Sequence, residues 1–451
     1  MLHIKNIKNC KIFNIDEDPS INFIKKIFIK KYPSWFNENS DEVNFKWYLR
    51  KSNINFENLS NFSLQMVNHF EFNNELVKIN HFILNLREYC AKKKINMFKF
   101  LPLTFIIDKN QKKFLDIYNQ FINIFRIISK NIVLEKSNMI INEQINKIYL
   151  NTNDSIKYEI DKCHVANRNL WIFRSLINEK YIQFELFDDI STLNILLLNE
   201  QPELFLSRHR NTNLMNREKL FVLQKYIERP FLFNHSKVTL KFFVLVDHKS
   251  IVHTFQEGYL KYVDKEYFIL NQVKTFNPIV DNSFNSNNLF QSKKSEIKFI
   301  SFHSFKDHLS KENGIKWETL RAKIKKIIKI CLKSVKYKIN KNQRKFCFEI
   351  FEFNFVLDEE FNPWLIKIKS FKNKDYKNEI VHNILNRLIS DAFSLTISKL
   401  FDEYENASSD NIYIITSYSF NTNLWEVLCD LSIKWRGKMK LDKTIDKNSD
   451  I

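Results

Sequence analysis

Residues 348–370 read FEIFEFNFVLDEEFNPWLIKIKS, and the reading of this stretch decides the fold. Phe351, Phe353 and Phe355 alternate with polar residues, the period of a strand with one buried face. Residues 358–363 are polar and end on Pro363, a turn composition. Trp364, Leu365, Ile366 and Ile368 then supply a second apolar run. The stretch is predicted to be a β-hairpin central to a domain, and what its polar face carries decides the function.

The hairpin resembles the final metal-binding hairpin of the tubulin tyrosine ligase family. That family includes the tubulin glutamylases and glycylases, and uses ATP to join an amino acid to a protein carboxylate on an ATP-grasp fold. Phe348, Glu349, Phe351, Phe353, Phe355, Asp358, Pro363, Trp364 and Leu365 match the family pattern. The resemblance breaks at the residues that do chemistry. Asn354 stands for the family Asp, Lys367 for the family Glu, Lys369 for the family Asn, and Glu352 for a usual Gly. It therefore implies a kept framework with degenerate catalytic positions, no confident catalytic residue and no metal ligand set. Mg²⁺ takes hard oxygen ligands, usually carboxylates and phosphate oxygens. An ammonium ~4 Å from a divalent ion costs ~8 kcal/mol at an effective dielectric of ~20, which as a barrier is roughly a million-fold in rate.

Further motifs resemble the family in its own order, over residues 60–400. MVNHF (66–70) precedes a helical stretch, ELVKINHFILNLREY (75–89), and a strand, FKFLPLTFIID (98–108). His69 reads as a packing or capping residue. Residues 109–165 have apolar positions at three and four, a helical pattern assigned to the core of a central subdomain. LWIFRS (170–175) resembles a family strand whose Lys contacts phosphate, with Arg174 at that position. The following LINEKYIQFELF (176–187) keeps Lys180 but has Tyr181 and Gln183 where a phosphate loop needs glycines. Only Gly258, Gly314 and Gly437 exist, so a Gly-rich phosphate cradle is excluded whatever the family.

LQKYIERPFLF (223–233) resembles the strand and hinge that line the adenine pocket, with Gln224, Lys225 and Tyr226 at its start. In KVTLKFFVLVDH (237–248), Lys237 is kept, Thr239 replaces a family Asp and Lys241 a family Arg. QEGYLKY (256–262) keeps the Glu257–Gly258 turn, with Lys261 for an Arg that grips an acyl phosphate or amino-acid carboxylate, forfeiting bidentate binding. The resemblance thus assigns Arg174, Lys180, Gln224, Lys225, Tyr226 and Lys237 to nucleotide, and Lys241 and Lys261 to substrate.

The expected fold is α/β (α+β) and ATP-grasp-like. It has an N-terminal α/β subdomain (1–105), a central subdomain (106–223), a C-terminal mixed-sheet subdomain (224–401), and a tail outside the resemblance (402–451). Residues 271–296, rich in Asn and Ser, read as a mobile loop. Residues 317–335 read as an amphipathic helix with Trp317, Leu320, Ile324, Ile327, Ile328, Cys331 and Val335 on its apolar face. Its lysines are either a solvated face or a dock for an acidic tail. Residues 378–395 are the helix that ends the family domain, and 435–451 a frayed terminus.

The 451 residues carry a net charge of +19, with a pI near 9.4, which points to acidic partners. Abundant Lys, Asn, Ile and Phe beside 3 Gly and 7 Pro also fit an AT-rich coding bias. Six cysteines stand singly without metal-ligand spacing, as in reduced intracellular proteins. No 18-residue apolar run and no signal-peptide core is found, so a soluble intracellular protein without a membrane partner is expected. The first reading is an inactive relative that binds tubulin or microtubules through acidic C-terminal tails, as a monomer of the cytoplasm, cytoskeleton or cilium. ATP binding is then weak or absent and Mg²⁺ is not expected. The second is a working ATP-dependent ligase with metal ligands drawn from Glu349, Asp358 or Glu352. The third is a general polyanion binder, but no RNA-binding signature is found, so nucleic acid is not the expected partner.

Overall fold

The computed structural model of the protein describes residues 11–39, 43–59, 64–108, 114–129, 168–177, 180–198, 219–264, 267, 296–372, 375–401 and 423–432. In chain order the elements begin with β1 (Ile12–Ile15), α1 (Asn22–Lys31), β2 (Phe36–Asn37), β3 (Phe45–Trp47) and β4 (Met66–Val67). Next come α2 (Asn74–Val77), α3 (Ile79–Lys93), β5 (Thr104–Asp108), α4 (Phe114–Ser129), β6 (Trp171–Ile177), β7 (Lys180–Phe187), α5 (Ile190–Leu198) and β8 (Lys219–Lys225). Then follow β9 (Leu232–Phe233), β10 (Ser236–Val246), β11 (Ile251–Phe255), β12 (Tyr259–Val263), β13 (Ile297–Ser301), α6 (Phe302–Asn313) and α7 (Trp317–Ser334). The last are β14 (Glu349–Leu357), β15 (Pro363–Ser370), α8 (Glu379–Phe393) and β16 (Trp425–Asp430).

Three sheets result among the described residues, and the architecture is α/β. A parallel sheet in the order β2-β1-β3-β4 opens the chain, and an antiparallel sheet β5-β8-β6-β7 follows. The largest sheet runs β13-β12-β10-β11-β16, with β14 and β15 joined through β10. It was expected to be mixed, yet every pairing described in it is antiparallel. The short connections between β10 and β11 and between β14 and β15 allow only hairpins there, whereas a parallel pair needs a long crossover.

The predicted hairpin is β14–β15, in which β14 pairs with β10 and, among the described residues, β15 pairs with β14 alone. Its odd face (Phe351, Phe353, Phe355, Leu357) joins Phe242 and Leu240 of β10 in one core with the apolar stripe of α7. The opposite face was expected to be the polar, open one, but β14 is buried at all nine positions. Phe243, Leu245 and Ile350 on that face pack into a second core with α1, α8 and the N-terminal sheet. Gly258 has a role that only glycine can fill: a Cβ there would lie 2.4 Å from the Lys241 carbonyl oxygen and from the Phe302 ring.

Two further expectations are corrected. The helix over 75–89 is two helices, because Lys78 is extended at φ −87° and ψ 123° and caps α3. The expected tail contains β16, which pairs with β11 and buries Trp425 against Phe255. The helix at 317–334 has the expected apolar face, extended by the buried Arg321. The loop expected at 271–296 lies, apart from Glu296, outside the described residues, as do residues 130–165 of the helical stretch and the terminus at 435–451.

Candidate functional site

The polar groups of the large sheet gather on the even face of β14, and strand register explains why. Asn354 pairs with Lys241 on β10 and with Lys367 on β15, while Glu352 pairs with Lys369. Tyr259 pairs with Lys241 and Lys261 with Thr239, which brings β12 onto the same face. A β-bulge between Asn354 and Phe355 inserts Ile366 as the extra residue. Without it, Lys367 would face the phenylalanine core; with it, both lysines turn to the polar face.

There the Glu352 carboxylate is the centre. Lys241 Nζ lies 2.5 Å and Lys369 Nζ 3.6 Å from the same oxygen, Oε1. Burial alone would raise the Glu352 pKa. The Lys241 and Lys369 ammoniums, with hydrogen bonds from Lys241 and Asn354, outweigh burial and hold the carboxyl far below the usual range. Beside it, Lys261 Nζ lies 2.7 Å from Asp375 Oδ1, whose other oxygen accepts from the Tyr259 hydroxyl at 3.1 Å. Burial, then the charges of Asp375 and Glu352, push the Tyr259 phenol well above its ordinary value.

The other acids of the hairpin are engaged elsewhere. Glu349 accepts from Asn73 Nδ2 at 2.8 Å and the Phe70 amide at 2.9 Å, and His69 Nδ1 lies 2.9 Å away. His69 thus links the hairpin, through Glu349, to the N-terminal segment, where its Nε2 lies 3.1 Å from the Tyr48 carbonyl oxygen. Asp358 shapes the turn, accepting from the Trp364 indole at 2.9 Å and from the Glu360 and Asn362 amides. Among the described residues, no three His, Cys, Asp or Glu side chains gather as a metal-binding group.

The residues assigned to nucleotide do not form a single group. Arg174 donates to Gln224 Oε1 at 2.9 Å, Gln224 donates to Thr104 Oγ1 at 2.9 Å, and both line a narrow cleft with Lys367 and residues of α2 and α3. Lys225 donates to the Leu170 carbonyl at 2.9 Å and pairs with Glu228 at 2.5 Å, fully buried. Lys237 Nζ sits 3.9 Å from the Tyr226 ring centroid, a cation–π contact. Lys180 opens β7 opposite Ile177, and its side chain lies outside the described residues. The partners that sequence reasoning missed are Glu228 and Asp375, and Glu352 in its role of counter-ion. Only the cross-strand register could have revealed the last.

Comparison with known proteins names the class of this chain. The sequence profile of the Tubulin-tyrosine ligase family matches residues 57–405, and the chain belongs to that family. Tubulin glycylase 3F of Tetrahymena thermophila is 24% identical over 93% of this chain and 56% of its own length. Tubulin glycylase 3B of the same organism is 25% identical over 43% of this chain and 18% of its own. A probable tubulin polyglutamylase of Homo sapiens is 21% identical over 34% and 26%. The chain therefore spans little more than half the length of the first of these relatives.

Proposed function

We propose that this chain is a tubulin tyrosine ligase-like protein that binds tubulin or microtubules without ligating an amino acid to them. The observation that carries this reading is the Glu352 carboxylate held between Lys241 and Lys369 at the positions where the family resemblance puts its chemistry. Magnesium does not fit this donor set. Asn354, Lys367 and Lys369 offer one carbonyl and two ammoniums, and the nearby carboxylates already have cationic or hydrogen-bonding partners. ATP is the family's cofactor. Two of the cations assigned to it here have partners within the protein, Arg174 with Gln224 through one of its nitrogens and Lys225 with Glu228. The partner would be the acidic C-terminal tail of tubulin, met by a chain of net charge +19, in the cytoskeleton or cilium.

The test is amino-acid incorporation into tubulin, with glycine and glutamate as donors and ATP and Mg²⁺ supplied. No incorporation above background is expected, together with co-pelleting on microtubules that weakens when the acidic tails are removed. Incorporation would establish the working-ligase reading instead. Co-pelleting indifferent to the tails would refute the acidic tail as the partner.

A further inference from the structure

We propose that the Glu352 carboxylate is the resident anion of an oxyanion pocket, so that the chain fills with its own side chain a site suited to an external carboxylate or phosphate. This deepens the reading above, and rests on it, because a pocket holding its own carboxylate has no room for one to be activated.

The geometry has three parts. First, the side chains of Lys241, Asn354 and Lys369 come from three different strands, β10, β14 and β15, and all reach the carboxylate of Glu352. Second, the group is enclosed: side-chain exposure is 3% for Lys241, 9% for Glu352 and 22% for Lys369. The same sheet face is apolar on both sides of it, with Phe243 and Ile350 at one end and Val356 and Trp364 at the other. Third, the arrangement is repeated next to it, where Asp375 takes Lys261 and the Tyr259 hydroxyl.

A buried ion pair is a poor device for stability alone, since apolar residues of similar volume often do as well. An enclosed set of ammonium and amide donors converging on one carboxylate is, in contrast, what an oxyanion site requires. Removing the tethered carboxylate should leave that set in place and open a space the size of an acetate.

The experiment is Glu352→Gly in the full chain, with its unfolding temperature followed against sodium acetate and, separately, inorganic phosphate, at ionic strength matched with chloride. A saturable rise of about 2–4 °C is expected in the variant and none in the wild type. A rise with acetate alone assigns a carboxylate pocket, and one with phosphate alone a phosphate pocket. A folded variant that responds to neither overturns the proposal. Should Glu352→Gly not fold, Glu352→Ala, which keeps a Cβ in the strand and still opens the space, is read by lysine acylation. Lys241 and Lys369 should react several-fold faster than in the wild type, with protection restored by one of the two anions. Unchanged reactivity, or no restored protection, overturns it equally. Amino-acid incorporation by the wild type would sink the inactive-relative reading, whereas a missing anion response sinks only this one.

Discussion

Glu349→Gln separates a structural carboxylate from a metal ligand by the sign of its effect. Glu349 is 1% exposed and has three partners: Asn73 Nδ2 at 2.8 Å, the Phe70 amide at 2.9 Å and His69 Nδ1 at 2.9 Å. A glutamine amide keeps one acceptor oxygen. Placed to serve Asn73 and His69, it turns its NH₂ toward the Phe70 N–H, leaving a buried donor without an acceptor. That costs about 1–3 kcal/mol, and replacing charge-assisted bonds by neutral ones costs roughly 1 kcal/mol more for each of two partners. The expected loss is therefore about 3–5 kcal/mol. It should be read in the denaturant midpoint and in amide exchange at Val67 and Phe348, whose N–H groups bond across to Phe346 and Val67. Were Glu349 a magnesium ligand, removing its charge would leave the metal-free protein as stable as before, or more so, and abolish a stabilisation by Mg²⁺. A loss below about 1 kcal/mol, or that dependence on Mg²⁺, refutes the reasoning.

Three more outcomes are expected. The Glu352 pKa is depressed in the folded state, so its contribution is fully present above the ordinary value of 4.5 and is lost as pH falls below it. The difference in urea midpoint between wild type and Glu352→Gln should therefore shrink from about pH 5 toward about pH 3, and parallel curves would contradict it. Trp425→Ala removes a side chain 6% exposed whose indole donates to the Leu388 carbonyl at 3.1 Å. It should cost about 3–5 kcal/mol by urea denaturation, where a tail residue would cost under about 0.5. Restoring Lys367→Glu with Lys369→Asn should yield no ligation in the incorporation assay and a lower unfolding temperature. Glu352 then loses one counter-ion and gains a like charge ~7–8 Å away on the diagonal, worth ~2 kcal/mol of repulsion at a dielectric of ~20.

The hairpin and the helix at Trp317–Ser334 were legible because each rests on a local period, whereas the stretches at Ser236–Val246 and Glu379–Phe393 were read through the family resemblance. Apolar spacing of two or of three and four survives whatever the chain packs against. The break at Lys78 was not legible, since residues 75–89 keep a helical pattern across it and the turn depends on contacts of Asn85 with Glu75. Strand β16 was missed for a related reason. Its partner β11 lies far earlier in the chain, Ile251 pairing with Asp430, and edge strands carry a weak alternation.

The site was half legible, and the bulge explains which half. The family resemblance placed Asn354, Lys367 and Lys369 at degenerate positions, but simple alternation from Trp364 puts Ile366 and Ile368, not the lysines, on the face of Glu352. One extra residue reverses that assignment, pairing Asn354 with Lys367 and Glu352 with Lys369. The consequence is that the lysines and Glu352 are not independent replacements. Lys241 and Lys369 on a buried face without a carboxylate would leave two ammoniums uncompensated, and Glu352 without them would be a buried unpaired acid, each costing several kcal/mol. The set is stable only together, so replacing Glu352 alone by a neutral residue is expected to cost more than replacing Lys241, Glu352 and Lys369 by neutral residues at once.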